Sequence, residues 1–138
     1  MTDPYTIQQV DSPEWDIIGG GIDAHNQEKA GDYQAKNLCF VLKDPAGNIL
    51  GGVIGNTYWN WLSVNLMWLR EDLRGQGYGS QLLKLLEDEA RRLGATHAHL
   101  DTFSFQAPEF YKKNGYEVFG ELADFPAHHR RYYMRKAL

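Results

Sequence analysis

Leu66-Met67-Trp68-Leu69-Arg70-Glu71-Asp72-Leu73-Arg74-Gly75-Gln76-Gly77-Tyr78-Gly79-Ser80-Gln81-Leu82-Leu83-Lys84-Leu85-Leu86 is the stretch from which the rest of the chain can be read. An apolar run comes first, then a charged bend, then a turn with glycine at alternate positions, then a helical pattern. Glycines remove side chains where the backbone must approach something closely. The helix behind them starts with unpaired N–H groups and the positive end of its dipole. Such a turn is an anion site, and phosphate is its usual anion.

Spacing separates the nucleotide-site motifs that share this logic. A phosphate-binding P-loop ends in Gly-Lys-[Ser/Thr], whereas Gly79 runs straight into Ser80. The dinucleotide fingerprint needs G-x-G-x-x-G; Gly75 and Gly77 fit, but Ser80 takes the third glycine position. Asp101 stands about where a ribose-binding acid belongs. The turn nevertheless falls past the middle of the chain, leaving too little sequence for a doubly wound sheet.

Outward from this stretch, residues 37–42 read as a strand, residues 44–48 (Asp-Pro-Ala-Gly-Asn) as a turn, residues 49–58 as its hairpin partner and residues 62–69 as a third strand after a turn at Trp59-Asn60-Trp61. This predicts an antiparallel meander. Over residues 80–93, Leu82, Leu83, Leu86, Ala90 and Leu93 recur at helical spacing, with Lys84, Glu87, Asp88, Arg91 and Arg92 on the solvated side and Gly94 as the stop. Residues 98–102 follow as a strand, so strand, helix, strand gives one parallel pair with a right-handed crossover. Residues 107–116 predict a short helix opened by Pro108 and stopped by Asn114-Gly115. Strands follow at 116–119 and 132–136, with a polar loop at 120–131 between them. The N-terminal third predicts an edge strand at 5–10, a helix start at Asp11-Ser12-Pro13-Glu14, an interruption at Gly19-Gly20-Gly21 and a second short helix over 22–29 ended by Gly31.

Composition bounds the function. At 138 residues the chain reads as a single domain over 1–138, with enough aliphatic and aromatic material for a core. A net charge of −4 without a basic stripe argues against a nucleic-acid partner. Any anion must therefore be held by backbone amides and a few arginines. The single Cys39 suits a reducing, cytoplasmic setting and reads as a small buried hydrophobe in a strand. No apolar run reaches membrane-spanning length, so no membrane partner is expected.

Arg74-x-x-Gly77-x-Gly79 resembles the R/Q-x-x-G-x-G/A signature of the Gcn5-related N-acetyltransferases, and Ala107-x-x-Phe110-Tyr111-x-x-x-Gly115-Tyr116 resembles a second block of the same family. The run from Asp101 to Pro108 is similar to an uncharacterised bacterial subgroup. The resemblance implies an α/β (α+β) fold: a mixed, mostly antiparallel central sheet with one parallel βαβ pair, flanked by helices. It also implies acetyl-CoA as co-substrate and no metal. The backbone of Met67, Trp68 and Leu69 would pair with the pantetheine arm, and an N–H near Leu69 would polarise the thioester carbonyl. Arg74, Gly75, Gln76, Gly77, Tyr78, Gly79 and Ser80 would cradle the pyrophosphate. Ala107 and Phe110 would adjoin the cofactor, and Tyr111 would stand near its sulfur. Many members carry an Asn that contacts the cofactor arm where this chain has Ser104, so the resemblance implies Ser104 as the cofactor-binding residue at that position.

Several side chains keep two readings. Tyr111 is a hydrogen-bond donor to the leaving thiolate or a core aromatic. Asp101 is a general base, an ammonium partner or a loop cap. His97 and His99 share one side of a strand, as a surface pair or as two metal ligands lacking a third. His128-His129 line a substrate mouth or are solvated. Trp59, Trp61, Phe103 and Phe105 wall an acceptor site, pack a core or meet a second subunit. Arg70 and Arg74 face phosphate or pair with Glu71 or Asp72. The function expected is direct acetyl transfer to a primary amine of a small molecule, by a homodimer. The alternatives are a protein or peptide amine, and a non-catalytic acyl-CoA-binding module.

Overall fold

The computed structural model describes residues 3–138. The chain divides into two units, Met1–Tyr33 and Gln34–Leu138. The described residues of the first unit contain one helix, α1 (Trp15–Ala30), ended by Gly31 at φ 84°. The helix runs unbroken through Gly19-Gly20-Gly21, where the sequence predicted an interruption. Each glycine costs about 1 kcal/mol relative to alanine in a helix, which weakens the ladder without removing a hydrogen bond from it. Residues 5–10, expected as a strand, form none, because their unit offers no other strand to pair with. The Tyr33 hydroxyl ties the end of this unit back to α1, accepting from Asn26 Nδ2 (2.8 Å) and donating to Asp23 Oδ1 (2.9 Å).

The second unit is a six-stranded mixed sheet with two helices. Its elements are β1 (Lys36–Lys43), β2 (Ile49–Tyr58), β3 (Trp61–Leu69), a 3-10 turn at Glu71–Leu73, α2 (Tyr78–Arg92), β4 (His97–Phe103), α3 (Pro108–Lys113), β5 (Glu117–Ala123) and β6 (Arg130–Ala137). The strand order is β1-β2-β3-β4-β6-β5. All neighbours are antiparallel except β3 and β4. The predicted meander, crossover helix and parallel pair are therefore present.

The core lies where α2 covers the sheet. Leu82, Leu83, Leu86 and Ala90 pack with Val53, Leu62, Val64, Ala98, Leu100 and Met134. Fully burying one such leucine or valine contributes about 1.5–3 kcal/mol, so this stripe is the main support of the sheet. Glu87, expected on the solvated side of α2, is instead 4% exposed. A counter-charge from β6 reaches it there, which helical periodicity cannot show. Cys39 is exposed rather than buried: Leu38 and Phe40 on either side of it point to the core, and strand alternation turns Cys39 the other way.

The loop expected at 120–131 is largely a hairpin. β5 continues to Ala123 and β6 starts at Arg130, paired Glu121↔Tyr132, Leu122↔Arg131 and Ala123↔Arg130. β5 is the outermost strand and every residue in it except Gly120 is exposed, so its polarity reads as loop.

Candidate active site

Two register facts open the sheet at its centre. β3 pairs with β4 only at Trp61↔His97, Leu62↔Ala98 and Ser63↔His99. On its other side, β3 carries an extra residue: Ile54 faces Leu66 and Gly55 faces Val64, leaving Asn65 without a counterpart on β2. This is a β-bulge, which bends the strand that holds it. Beyond it β3 and β4 diverge, and a cleft of about 780 Å³ fills the gap.

The cleft is lined from β3 by residues 65–69, from the glycine turn by Arg74, Gly75, Gly77, Gly79 and Ser80, from β4 by Asp101 and Thr102, and from the following segment by Phe105, Gln106, Ala107, Phe110 and Tyr111. Strand alternation gives the direction of the β3 backbone. Arg70 N–H donates to Leu50 on β2 (2.9 Å), so Leu69 and Met67 turn their N–H and C=O groups away from β2, toward the gap. The Leu69 carbonyl accepts from Arg74 Nε at 3.0 Å. Arg74 thus fixes the loop to the strand, while Arg70 pairs with Asp72 (2.6 and 2.9 Å).

The turn itself needs glycine. Gly77, the residue before α2, sits at φ 89°, in left-handed space that a Cβ disfavours. Gly79 is needed for a different reason: a Cβ there would lie 3.2 Å from the Phe110 ring, so its absence lets α3 close against α2. No side chain caps the first turn of α2, and its N–H groups stay directed outward.

Tyr111, which also lines the cleft, is buried, edge-on to Phe110 (5.1 Å) and Tyr116 (6.0 Å). Burial pushes its hydroxyl above the usual phenol range, and the negative charge of Asp101 adds to this. Asp101 Oδ1 accepts from Arg131 Nε at 2.9 Å, and Arg131 Nη2 stands at the same distance as an ion-pair partner. The Arg131 guanidinium is in turn enclosed by Phe103, Phe125 and Tyr133, at 5.2–5.3 Å from each ring centre. Phe103 stacks on Phe105 at 5.4 Å, and His129 stands edge-on to Phe105 at 4.9 Å. Part of the expected aromatic wall is therefore beside the cleft.

Other expected residues stand apart. Ser104 is absent from the lining: its hydroxyl accepts from the Arg130 N–H (3.0 Å), tying the loop after β4 to β6. Gln76 turns back to the Asp72 carbonyl (2.9 Å), and neither it nor Tyr78 lines the cleft. Trp59 and Trp61 line a different cavity of about 400 Å³ with Tyr58, Asn60, His99, Phe119 and Arg135. His97 stacks on Trp61 at 4.8 Å. Among the described residues, no three His, Cys, Asp or Glu side chains are grouped to hold a metal. Among the described residues, no helix is long and apolar enough to cross a membrane.

Sequence reasoning missed Asn65, Thr102 and Gln106. The Thr102 hydroxyl donates to Gln106 Oε1 (3.4 Å), which also accepts from the Phe103 N–H (2.9 Å). Together they fold the chain from β4 into α3. A Thr and a Gln four residues apart in a loop give little signal of this.

The profile of the acetyltransferase (GNAT) family matches residues 4–116. The chain belongs to that family. It is 38% identical over 81 residues to a blasticidin-S acetyltransferase of Streptomyces morookaense, covering 58% of this chain and 60% of the relative's length. It is 32% identical to the acetyltransferase Atu2258 of Agrobacterium fabrum, over 72% of each chain. A crystal structure of an acetyltransferase from Bacillus cereus superposes with a TM-score of 0.90 at 35% identity, covering 97% of this chain and 98% of that one. This GNAT chain thus shares its fold with that structure.

Proposed function

We propose that this chain transfers an acetyl group from acetyl-CoA to a primary amine of a small molecule, within a ternary complex. One observation carries the reading: the gap between β3 and β4 presents main-chain groups of Met67 and Leu69, and the glycine turn that opens α2 and Tyr111 line the same cleft. An extended pantetheine arm can bond to Met67 and Leu69 as an added strand would. The first N–H groups of α2, behind Gly77, suit a pyrophosphate. Bound acetyl-CoA supplies the thioester; amine attack forms a C–N bond and breaks the C–S bond.

The protein's part is to hold and polarise. The Leu69 N–H faces the gap and donates to the carbonyl oxygen as negative charge grows there; one such donor is worth about 3–4 kcal/mol in comparable sites. Tyr111 stays protonated and donates a hydrogen bond to the departing sulfur. An acceptor ammonium carries its charge to Asp101, whose carboxylate Arg131 holds in place. A carboxylate is a much weaker base than an amine, so Asp101 orients the acceptor and the amine's proton passes to water. Similarity to a blasticidin-S acetyltransferase supports a small-molecule acceptor.

The deciding experiment is a thiol-release assay with acetyl-CoA across a panel of primary amines and lysine peptides, alongside calorimetry of acetyl-CoA alone. Binding with turnover of a small amine is expected. Turnover of peptides only would move the acceptor to protein, and binding without any turnover would leave an acyl-CoA-binding module.

A further inference from the structure

Glu87 is a carboxylate on the buried face of α2, and the reaction described above gives it no work. Its surroundings are fully matched. Lys136 Nζ, from β6, donates to Glu87 Oε1 (2.9 Å), Glu87 Oε2 (3.1 Å) and the Asn114 carbonyl (2.8 Å). The two carboxylate oxygens lie on one side of the ammonium, and the Asn114 carbonyl takes another of its N–H groups. The Tyr116 hydroxyl donates to Glu87 Oε2 at 2.8 Å. Asn114, at the end of α3, donates through Nδ2 to the Phe110 carbonyl (2.9 Å) and to Ser80 Oγ (3.3 Å). A continuous set of bonds therefore runs from Ser80, on the first turn of α2, through Asn114 and Lys136 to Glu87, farther along the same helix.

The element this set grips is α3, which carries Phe110 and Tyr111. α3 has six residues, too few to hold its own helix in water, so its placement comes from what it touches. The Gly79–Phe110 contact sets its distance from α2, and the Lys136–Asn114 bond fixes its far end. A buried ion pair is a poor way to gain stability, because desolvation offsets most of the attraction and an apolar replacement is often as stable. Its directional bonds suit it instead to fixing one geometry.

We propose that Glu87 and Lys136 are positioning residues for acetyl transfer: they seat the end of α3 so that Tyr111 keeps its place in the cleft lining. The inference rests on the reading of the cleft given under the proposed function. Neither residue touches the cleft, so their effect on the reaction passes through Asn114 and α3.

The test replaces the pair by apolar residues of similar volume, Glu87→Leu with Lys136→Met, so that no charge is left buried alone. Thermal unfolding is expected to stay within a few degrees of wild type. Hydrogen exchange of the α3 amides is expected to quicken about 10-fold or more, while the interior of α2 keeps its protection. With acetyl-CoA and the best amine of the panel, kcat should fall about 10- to 100-fold, the scale of a small misplacement of a reacting group, with acetyl-CoA affinity by calorimetry unchanged. In a Tyr111→Phe background the same pair should cost kcat nothing further, because both act through one group. Unchanged α3 exchange, an unchanged kcat, or a full additive loss on Tyr111→Phe would each overturn the inference. If the double variant does not fold, Glu87→Gln carries the same exchange and turnover comparisons. If the wild-type protein turns over no amine, the reading of the cleft fails, and α3 exchange alone decides the seat.

Discussion

Asn65 Nδ2 donates to Asn56 Oδ1 at 2.8 Å, and the bond pins the one residue of β3 that has no partner in β2 register. Asn65 Oδ1 in turn accepts from Ser63 Oγ at 2.7 Å. Ser63 is the last residue of β3 to pair with β4. The polar side chains of the bulge therefore sit where the sheet begins to open, and the cleft depends on that opening.

Asn56→Ala removes the acceptor and leaves the Asn65 amide to water. A cost of about 1 kcal/mol is expected, the usual net worth of such a bond. Urea unfolding measures it. Acetyl-CoA affinity should weaken with it, because β3 loses a restraint on the strand segment that would bind the pantetheine arm. A loss of stability with unchanged affinity would show that the bulge holds its shape without this bond.

Gly77→Glu places a Cβ at φ 89° and a negative charge at the mouth of α2. The backbone strain alone is about 1–2 kcal/mol, tolerable for the fold. Acetyl-CoA binding should fall below detection by calorimetry while the far-ultraviolet circular dichroism stays native. Retained binding would place the pyrophosphate elsewhere.

Asp101→Asn keeps the shape of the side chain and removes its charge. The acceptor amine's KM should rise about 10-fold, equivalent to about 1.4 kcal/mol, with acetyl-CoA affinity unchanged. Steady-state kinetics with the acceptor varied at saturating acetyl-CoA separates the two. A fall in kcat at constant KM would instead give Asp101 a part in the chemical step.

Tyr111→Phe should lower kcat about 10-fold or more and leave acetyl-CoA affinity nearly intact. Because burial raises the Tyr111 pKa, the donor stays protonated across neutral and moderately alkaline pH. The wild-type rate should therefore climb with pH as the acceptor amine loses its proton, with no falling limb below about pH 10. A falling limb near neutrality that vanishes in Tyr111→Phe would mean that the tyrosine ionises much earlier.

Tyr111 and Tyr116 also predict the alkaline stability. Burial raises both pKa values, and the Glu87 charge and hydrogen bond raise that of Tyr116 further. Above the ordinary tyrosine pKa of about 10 the unfolded chain releases these protons while the folded chain keeps them. The folded state then binds more protons, so stability is fully present below that pH and falls as pH rises above it. Urea unfolding from pH 8 to 11 should show the decline, and Tyr116→Phe should flatten it. Equal slopes in both proteins would remove Tyr116 as its source.

Local chemistry was enough to specify the meander, the crossover helix, the parallel pair and the glycine turn. Each follows from short-range causes: strand-like runs separated by turn residues in 37–69, the leucine stripe of α2, and glycines just before it. The resemblance of two blocks to the family implied Met67, Leu69, Gly77, Gly79 and Tyr111, and the structure brings all five into the lining of one cleft. Tertiary structure alone decided that Asn65 is the extra residue of a bulge, since register is a relation between two strands. It decided that Glu87 turns inward, because the ammonium that makes this tolerable comes from Lys136, 49 residues away. It also decided that Ser104 bonds to β6 rather than facing the cleft, and that Arg131 holds Asp101. A sequence displays each side chain's own preference, but the cost of burying a charge or opening a sheet is set by partners that only the folded chain brings near.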